Sequence, residues 1–237
     1  MLQTSHAVVL RTIRHGDRTT ILKAWTRHAG ARSYVVRTGS KKGNSSAALQ
    51  PLNRVEIVAD ERPDLELHPV RELRVERPFL NLHQDPIRAA LALFTQEVLY
   101  KVLRAETADP ALDGFIHEAL EVIDTGSDLR CFPLVFLLQL SGHLGFFPEP
   151  PSGKDDHFDL QEGCFYPAGV LHGHTMAPPL SLAFIQLLDV DLQHLSGASF
   201  PVKQRRELLD HLLLYFRLHI DGMGELRSPA VLHDTLA

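Results

Sequence analysis

Three groups of side chains in this 237-residue chain have types and spacings that could carry chemistry. The first is Asp155-Asp156-His157 with His172-Gly173-His174 and Cys164, a set of donors that could hold a metal ion. Structural zinc takes four ligands, with cysteines paired at short spacing, and neither Cys131 nor Cys164 has a close partner. No metal site is expected. The second is the basic loop Gly39-Ser-Lys-Lys-Gly43, which lacks the GxxxxGK[ST] spacing of a nucleotide-hydrolysing phosphate loop. Its glycines would still let the backbone come close to a phosphate. The third is Ser141 and Ser181 as nucleophiles, but no Gly-x-Ser-x-Gly elbow surrounds either. His117, His211 and His219 fall on helical segments without metalloprotease spacing. No catalytic residue, no cofactor and no enzyme activity are expected.

What remains is charge. The formal net charge of −5 taken alone argues against a nucleic-acid partner. The charge is unevenly placed, however. Residues 1–54 carry ten basic side chains against one acid, Asp17, for a formal +9. Residues 55–80 stand at −3, and residues 81–237 at −11. A strongly basic segment joined to an acidic one points to an anionic partner for the first, and closely spaced phosphates reward clustered Lys and Arg.

The elements that must position these cations follow from periodicity. His6–Ile13, Thr19–Trp25, Arg32–Thr38, Arg54–Asp60 and Leu65–Val75 read as short strands, with a turn at His15-Gly16-Asp17. In the third, Tyr34 and Val36 share one face, with Ser33, Val35 and Arg37 on the other. Five short strands in about 80 residues predict a small closed barrel, which leaves no open edge. Beyond it the period changes. Asp85-Pro86 is a helix start, followed by an apolar stripe of Ile87, Leu91, Phe94, Val98 and Val102. Further helices are expected over Pro110–Ile123, Pro133–Leu144, Leu180–Leu188 and Val202–Ile220, the second of these apolar nearly all round. The irregular stretch 146–176 contains Phe158-Asp-Leu-Gln-Glu-Gly163-Cys-Phe165, a hairpin with its turn at Glu162-Gly163. The expected fold is α+β: a basic domain over 1–80 and a helical domain over 81–237. Two cysteines and no long apolar run suggest a folded protein of a reducing cytoplasm, without signal peptide or membrane span.

Read in order, several of these segments resemble the RecO family of bacterial recombination mediators. The matching pieces are Ala7-Val-Val-Leu-Arg11, the His15-Gly16-Asp17 turn, Thr26 with Gly30, the Gly39–Gly43 loop and Leu49-Gln-Pro51-Leu. Glu97, Ser141-Gly-His-Leu-Gly145, Tyr215-Phe-Arg-Leu-His219, Leu226-Arg-Ser228 and Val231-Leu continue it through the helical half. The resemblance implies an N-terminal five-stranded OB-fold barrel and a helical C-terminal domain with a small hairpin insertion. It also implies binding of single- and double-stranded DNA, annealing of complementary strands, and loading of RecA with RecR onto DNA coated by the single-stranded-DNA-binding protein SSB. SSB would be held by its acidic, hydrophobic C-terminal tail, and the protein would be cytoplasmic, bacterial and associated with the nucleoid. Some family members carry a four-cysteine zinc site after the Ser-Gly-x-x-Gly segment; here only Cys164 lies there, so packing of Phe158, Phe165 and Tyr166 is expected to hold the hairpin.

For such a protein the candidate DNA-binding residues are Arg11, Arg14, Arg18, Arg27, Arg32, Arg37, Lys41, Lys42 and Arg54, with Lys41 and Lys42 foremost. Trp25 and Tyr34 are candidates to stack on bases, although the strand position of Trp25 predicts core packing. A groove for the SSB tail needs an apolar floor and basic residues, for which Lys101 and Arg104, or Lys203, Arg205, Arg206 and Arg217, are candidates. Two other readings compete. One is an OB-fold adaptor between proteins that never touches DNA; the other is an enzyme acting through Asp155, His157, His172 and His174.

Overall fold

The computed structural model describes residues 1–37, 46–62, 64–105, 107–152, 156–167 and 173–235, which form two compact units, 1–120 and 121–237. The Gly39–Gly43 loop, with Lys41 and Lys42, lies outside the described residues, as do Asp155 and His172.

In the first unit, β1 (Leu2–Arg14), β2 (Thr19–Thr26), β3 (Gly30–Arg37), β4 (Arg54–Asp60) and β5 (His68–Val75) close in the order β1-β2-β3-β5-β4, with β4 returning to β1. The one parallel pairing, β3 with β5, aligns Tyr34 with His68. This is an OB-fold barrel. Strand β1 pairs along one part with β4 and along the other with β2, and a bulge between Val9 and Arg11 lets it bend between them. Strict alternation fills the interior: Val9, Leu22, Ala24, Tyr34, Val36, Val55, Ile57 and Leu73 are buried together.

Two aromatics considered for base stacking are committed elsewhere. Tyr34 is fully buried, and its hydroxyl donates to Glu61 Oε1 at 2.8 Å; burial and that carboxylate push the phenol above its ordinary pKa. Trp25 is 1% exposed, so neither ring can offer a face to a base. Leu65 and Leu67, read as part of the fifth strand, lie exposed in the loop before β5.

Helix α1 (Pro86–Val102) starts where Asp85 caps the Arg88 amide at 3.0 Å. It lies against β1, where Gln96 Nε2 donates to the Leu10 carbonyl at 2.6 Å. Leu91, Phe94, Val98 and Val102 are buried as the apolar stripe requires, but Ile87 is 42% exposed. It sits on the first turn, and Ala90 takes the buried place instead. Helix α2 (Pro110–Thr125) carries the chain into the second unit.

That unit is organised around α3 (Phe132–His143), on which every residue from Phe132 to Leu138 is buried. A three-stranded sheet in the order β7-β6-β8 joins β6 (His157–Asp159), β7 (Cys164–Tyr166) and β8 (Thr175–Met176). Helices α4 (Leu180–Leu188), α5 (Val202–His219) and α6 (Ser228–Thr235) complete it. The hairpin turns at Gly163, whose φ of +72° suits glycine, and a Cβ there would lie 2.8 Å from the Tyr215 hydroxyl. Phe158 packs on Phe165 and Phe184, both with ring centroids at 4.8 Å, and on Tyr215 at 5.7 Å. Tyr166 is only half-buried and shares a 2.8 Å hydrogen bond with Thr175. Among the described residues no helix is long and apolar enough to cross a membrane.

Candidate nucleic-acid interface

Strand register sorts the basic side chains of the barrel into groups. Arg14 ends β1, Arg18 lies in the following turn, and Arg37 ends β3 opposite Thr19. All three are exposed and share one end of the three-stranded surface. Lys41 and Lys42 follow β3 in sequence.

A second group lies further along the same strands. The bulge in β1 turns Arg11 outward, opposite Lys23, which in turn faces Ser33 across β2–β3. Lys23 Nζ donates to Ser33 Oγ at 2.6 Å, and the Arg11 guanidinium lies 4.8 Å from the centre of the Tyr100 ring. Here the end of α1 meets the barrel. Lys23, Arg32, Lys101 and Arg104 line one cleft with Tyr100, over a floor that includes Leu10, Ala24 and Ala31. No described residue lining this cleft is acidic. The segment leaving α1 is fastened to β3 by a 2.9 Å hydrogen bond from the Ala31 amide to the Ala105 carbonyl. That approach requires glycine at position 30. Its φ is +68°, and a Cβ would sit 2.4 Å from the Thr107 carbonyl oxygen.

Arg27 and Arg54 belong to neither group. Arg27, past the far end of β2, lies 3.9 Å from the buried Asp113 carboxylate, and half-buried Arg54 places its guanidinium 4.4 Å from the Phe79 ring centre. Lys101 and Arg104, read from sequence as candidates for a peptide groove, line this cleft together with Lys23 and Arg32 of the barrel.

The second unit has a different concavity. Val202, Arg205, Arg206 and Leu209 repeat along one side of α5 at helical spacing and face Pro133 and Leu134 of α3 and Leu232 of α6. Arg130 completes the rim; Asp128 holds it by two contacts of 2.9 and 2.6 Å, and the same arginine draws the Asp128 carboxyl down to about 2. Arg205 is steadied by a 2.9 Å hydrogen bond to the Phe200 carbonyl. Lys203 lies outside this groove and pairs loosely with Glu207 at 3.8 Å, and Arg217 lines a separate depression with Asp210 and Leu213.

Sequence reading missed Lys23, Tyr100 and Arg130 as site residues. Lys23 could have been found by alternation, since Leu22 and Ala24 point inward. Nothing local marks Tyr100 or Arg130; each belongs to its site through a helix end that only the folded chain brings there. Among the described residues no group of three metal-capable side chains converges; His157 Nδ1 pairs with the Asp156 carboxylate at 2.7 Å.

Comparison with known proteins accords with this arrangement. The family model described as recombination protein O N terminal matches residues 1–79, and that described as recombination protein O C terminal matches residues 83–229. The chain is 30% identical over 241 residues to a protein of Porphyromonas gingivalis named DNA repair protein RecO, covering 98% of both chains. It is 28% identical over 234 residues to the protein of that name from Flavobacterium psychrophilum, and 29% identical over 239 residues to that from Bacteroides fragilis, with at least 98% of each chain covered.

Proposed function

For a chain that belongs to the RecO family, we propose that it acts in DNA repair as a recombination mediator. It binds single- and double-stranded DNA on the basic outer surface of its barrel, anneals complementary strands, and helps RecA load, together with RecR, onto DNA covered by SSB. The observation that carries this reading is the convergence of cations from β1, β2, β3 and α1 on one surface of an OB-fold barrel. Two DNA strands are polyanions, and holding them together takes positive charge to offset their repulsion. The work is electrostatic, so no bond is made or broken and no cofactor is needed.

Arg11, Arg14, Arg18, Arg32 and Arg37 are the arginines that belong to this surface; Lys41 and Lys42 are proposed as DNA contacts from the sequence alone. The groove on the second unit suits the SSB tail, because Pro133, Leu134, Leu209 and Leu232 can take its apolar side chains while Arg130, Arg205 and Arg206 meet its acids. Such a protein works in the bacterial cytoplasm, at the nucleoid.

The test is annealing of complementary oligonucleotides coated with SSB, at physiological salt, with and without RecR. Annealing well above the spontaneous rate is expected. Binding of SSB without any annealing or DNA affinity would make the chain an adaptor between proteins.

A further inference from the structure

The cleft between the barrel and the last turn of α1 calls for more explanation than helix capping supplies. Cations at a helix C-terminus are favoured by the exposed carbonyls, and Arg104 Nε does donate to the Lys101 carbonyl at 3.2 Å. That accounts for the two cations at the end of α1, Lys101 in its last turn and Arg104 just past its cap. It does not account for Lys23 and Arg32, on two different strands, lining the same cleft. Four like charges around one concave space give it a positive potential that favours an anion.

The outer face beside the cleft is ordered in rows. Arg11, Lys23 and Ser33 form the row nearest to it; Ile13, Ile21 and Val35 form the next, roughly 7 Å along the strands. The third row, at the barrel end, carries Thr19 and Arg37. An uncharged strip therefore lies between two basic borders, and Ile13 within it is 38% exposed.

We infer that this cleft seats the phosphate backbone of single-stranded nucleic acid on Lys23, Arg32, Lys101 and Arg104, with a base against Tyr100 and its neighbours toward the Ile13–Ile21–Val35 strip. An acidic, apolar peptide is the less suitable occupant. Its binding depends on burying large side chains, and half of the residues lining this cleft, Lys23, Arg32, Ser33, Lys101 and Arg104, are charged or polar. A polyanion gains from each cation in turn, and base faces tolerate any sequence on an aromatic or apolar strip. This inference rests on the nucleic-acid reading and adds α1 to it.

The experiment uses the full chain, with fluorescence of its one tryptophan, the buried Trp25, as the check on folding. Oligo-dT carrying 5-bromouracil is titrated and photocrosslinked to the unmodified protein, to K101E/R104E, to the milder K101Q/R104Q, and to R14E/R18E/R37E. Crosslinking to the peptide that contains Tyr100 is expected, with binding weakened about tenfold or more in both cleft variants. The slope of log affinity against log salt should flatten by about 1.4 in K101Q/R104Q, about 0.7 for each phosphate that is no longer neutralised. If the unmodified chain fails to bind oligo-dT even at low salt, the nucleic-acid reading falls and takes this one with it. Normal binding by K101Q/R104Q, with an unchanged slope and crosslinks only elsewhere, would overturn the cleft while leaving that reading intact. Loss of an SSB-tail peptide in place of oligo-dT would assign the cleft to an acidic peptide and overturn the inference as well.

Discussion

The cleft of the first unit and the groove of the second are both concave and both basic, yet they are lined differently. The cleft gathers Lys23, Arg32, Lys101 and Arg104 over a floor of Leu10, Ala24, Ala31 and Leu103. The groove sets Arg130, Arg205 and Arg206 around Pro133, Leu134, Val202, Leu209 and Leu232. Positive charge favours an anion in each case, and under the proposed function the lining decides which kind. A strand of phosphates needs many cations and little apolar surface; a short acidic tail with apolar side chains needs the reverse.

The largest separation should come from the groove. R205E/R206E is expected to weaken binding of an SSB-tail peptide roughly hundredfold, as two charge-assisted contacts become repulsive at half-buried positions. Oligonucleotide affinity of the same variant should stay within about twofold, both read by fluorescence anisotropy. Equal loss of the two ligands would mean that the sites are not separate.

A pair of glycine substitutions gives the next effect. G30A forces a side chain against the Thr107 carbonyl and into a left-handed backbone, a strain of about 1–2 kcal/mol before the clash is counted. It should loosen the Ala31–Ala105 fastening that holds α1 to the cleft, lowering oligonucleotide affinity roughly tenfold and leaving the peptide unaffected. G163A is its counterpart. It displaces the Tyr215 hydroxyl, which donates to the Phe146 carbonyl at 2.6 Å, and so disturbs α5, lowering the unfolding midpoint and weakening the peptide alone. The opposite pattern of losses would break the comparison.

These two glycines also show what could be read before the fold was known. The strand pattern Val55, Ile57, Ala59, the Asp85 cap and the turn at Gly163 are local, and alternation or helix-cap chemistry reveals them. Strand β1 starts at Leu2, earlier than alternation indicates, because Leu2 to Thr4 are exposed and gain their place only by pairing with Val58 to Asp60. Helix α6 and the short strand β8 carry too little pattern of their own to stand out. Charge along the chain points to the barrel, but it cannot assign Lys101 and Arg104 to it. Those residues lie about 70 or more positions from Lys23 and Arg32, and only the register of β2–β3 and the end of α1 bring them together.

The smallest expected effect concerns His117 on α2. Burial holds its imidazole below the ordinary value of 6.5, against the pull of Asp113 at 3.9 Å. The folded chain therefore binds fewer protons there than the unfolded one. The stability this group contributes is present above 6.5 and is lost as pH falls below that value and through the lowered one of the folded chain. H117N should make the decline in unfolding midpoint between about pH 7.5 and 5.5 shallower, without altering either ligand's affinity at pH 7.5. An unchanged slope would show that His117 titrates alike in both states.

The division of labour is tested most directly by crossing two variants with two ligands: K101E/R104E and R205E/R206E, each titrated with oligo-dT and with the SSB-tail peptide at two salt concentrations. The arrangement of the two sites predicts that the first variant loses the oligonucleotide and its salt dependence, that the second loses the peptide, and that neither loses both. Loss of the peptide on reversing charge at α1, or of the oligonucleotide on reversing it at α5, would contradict it.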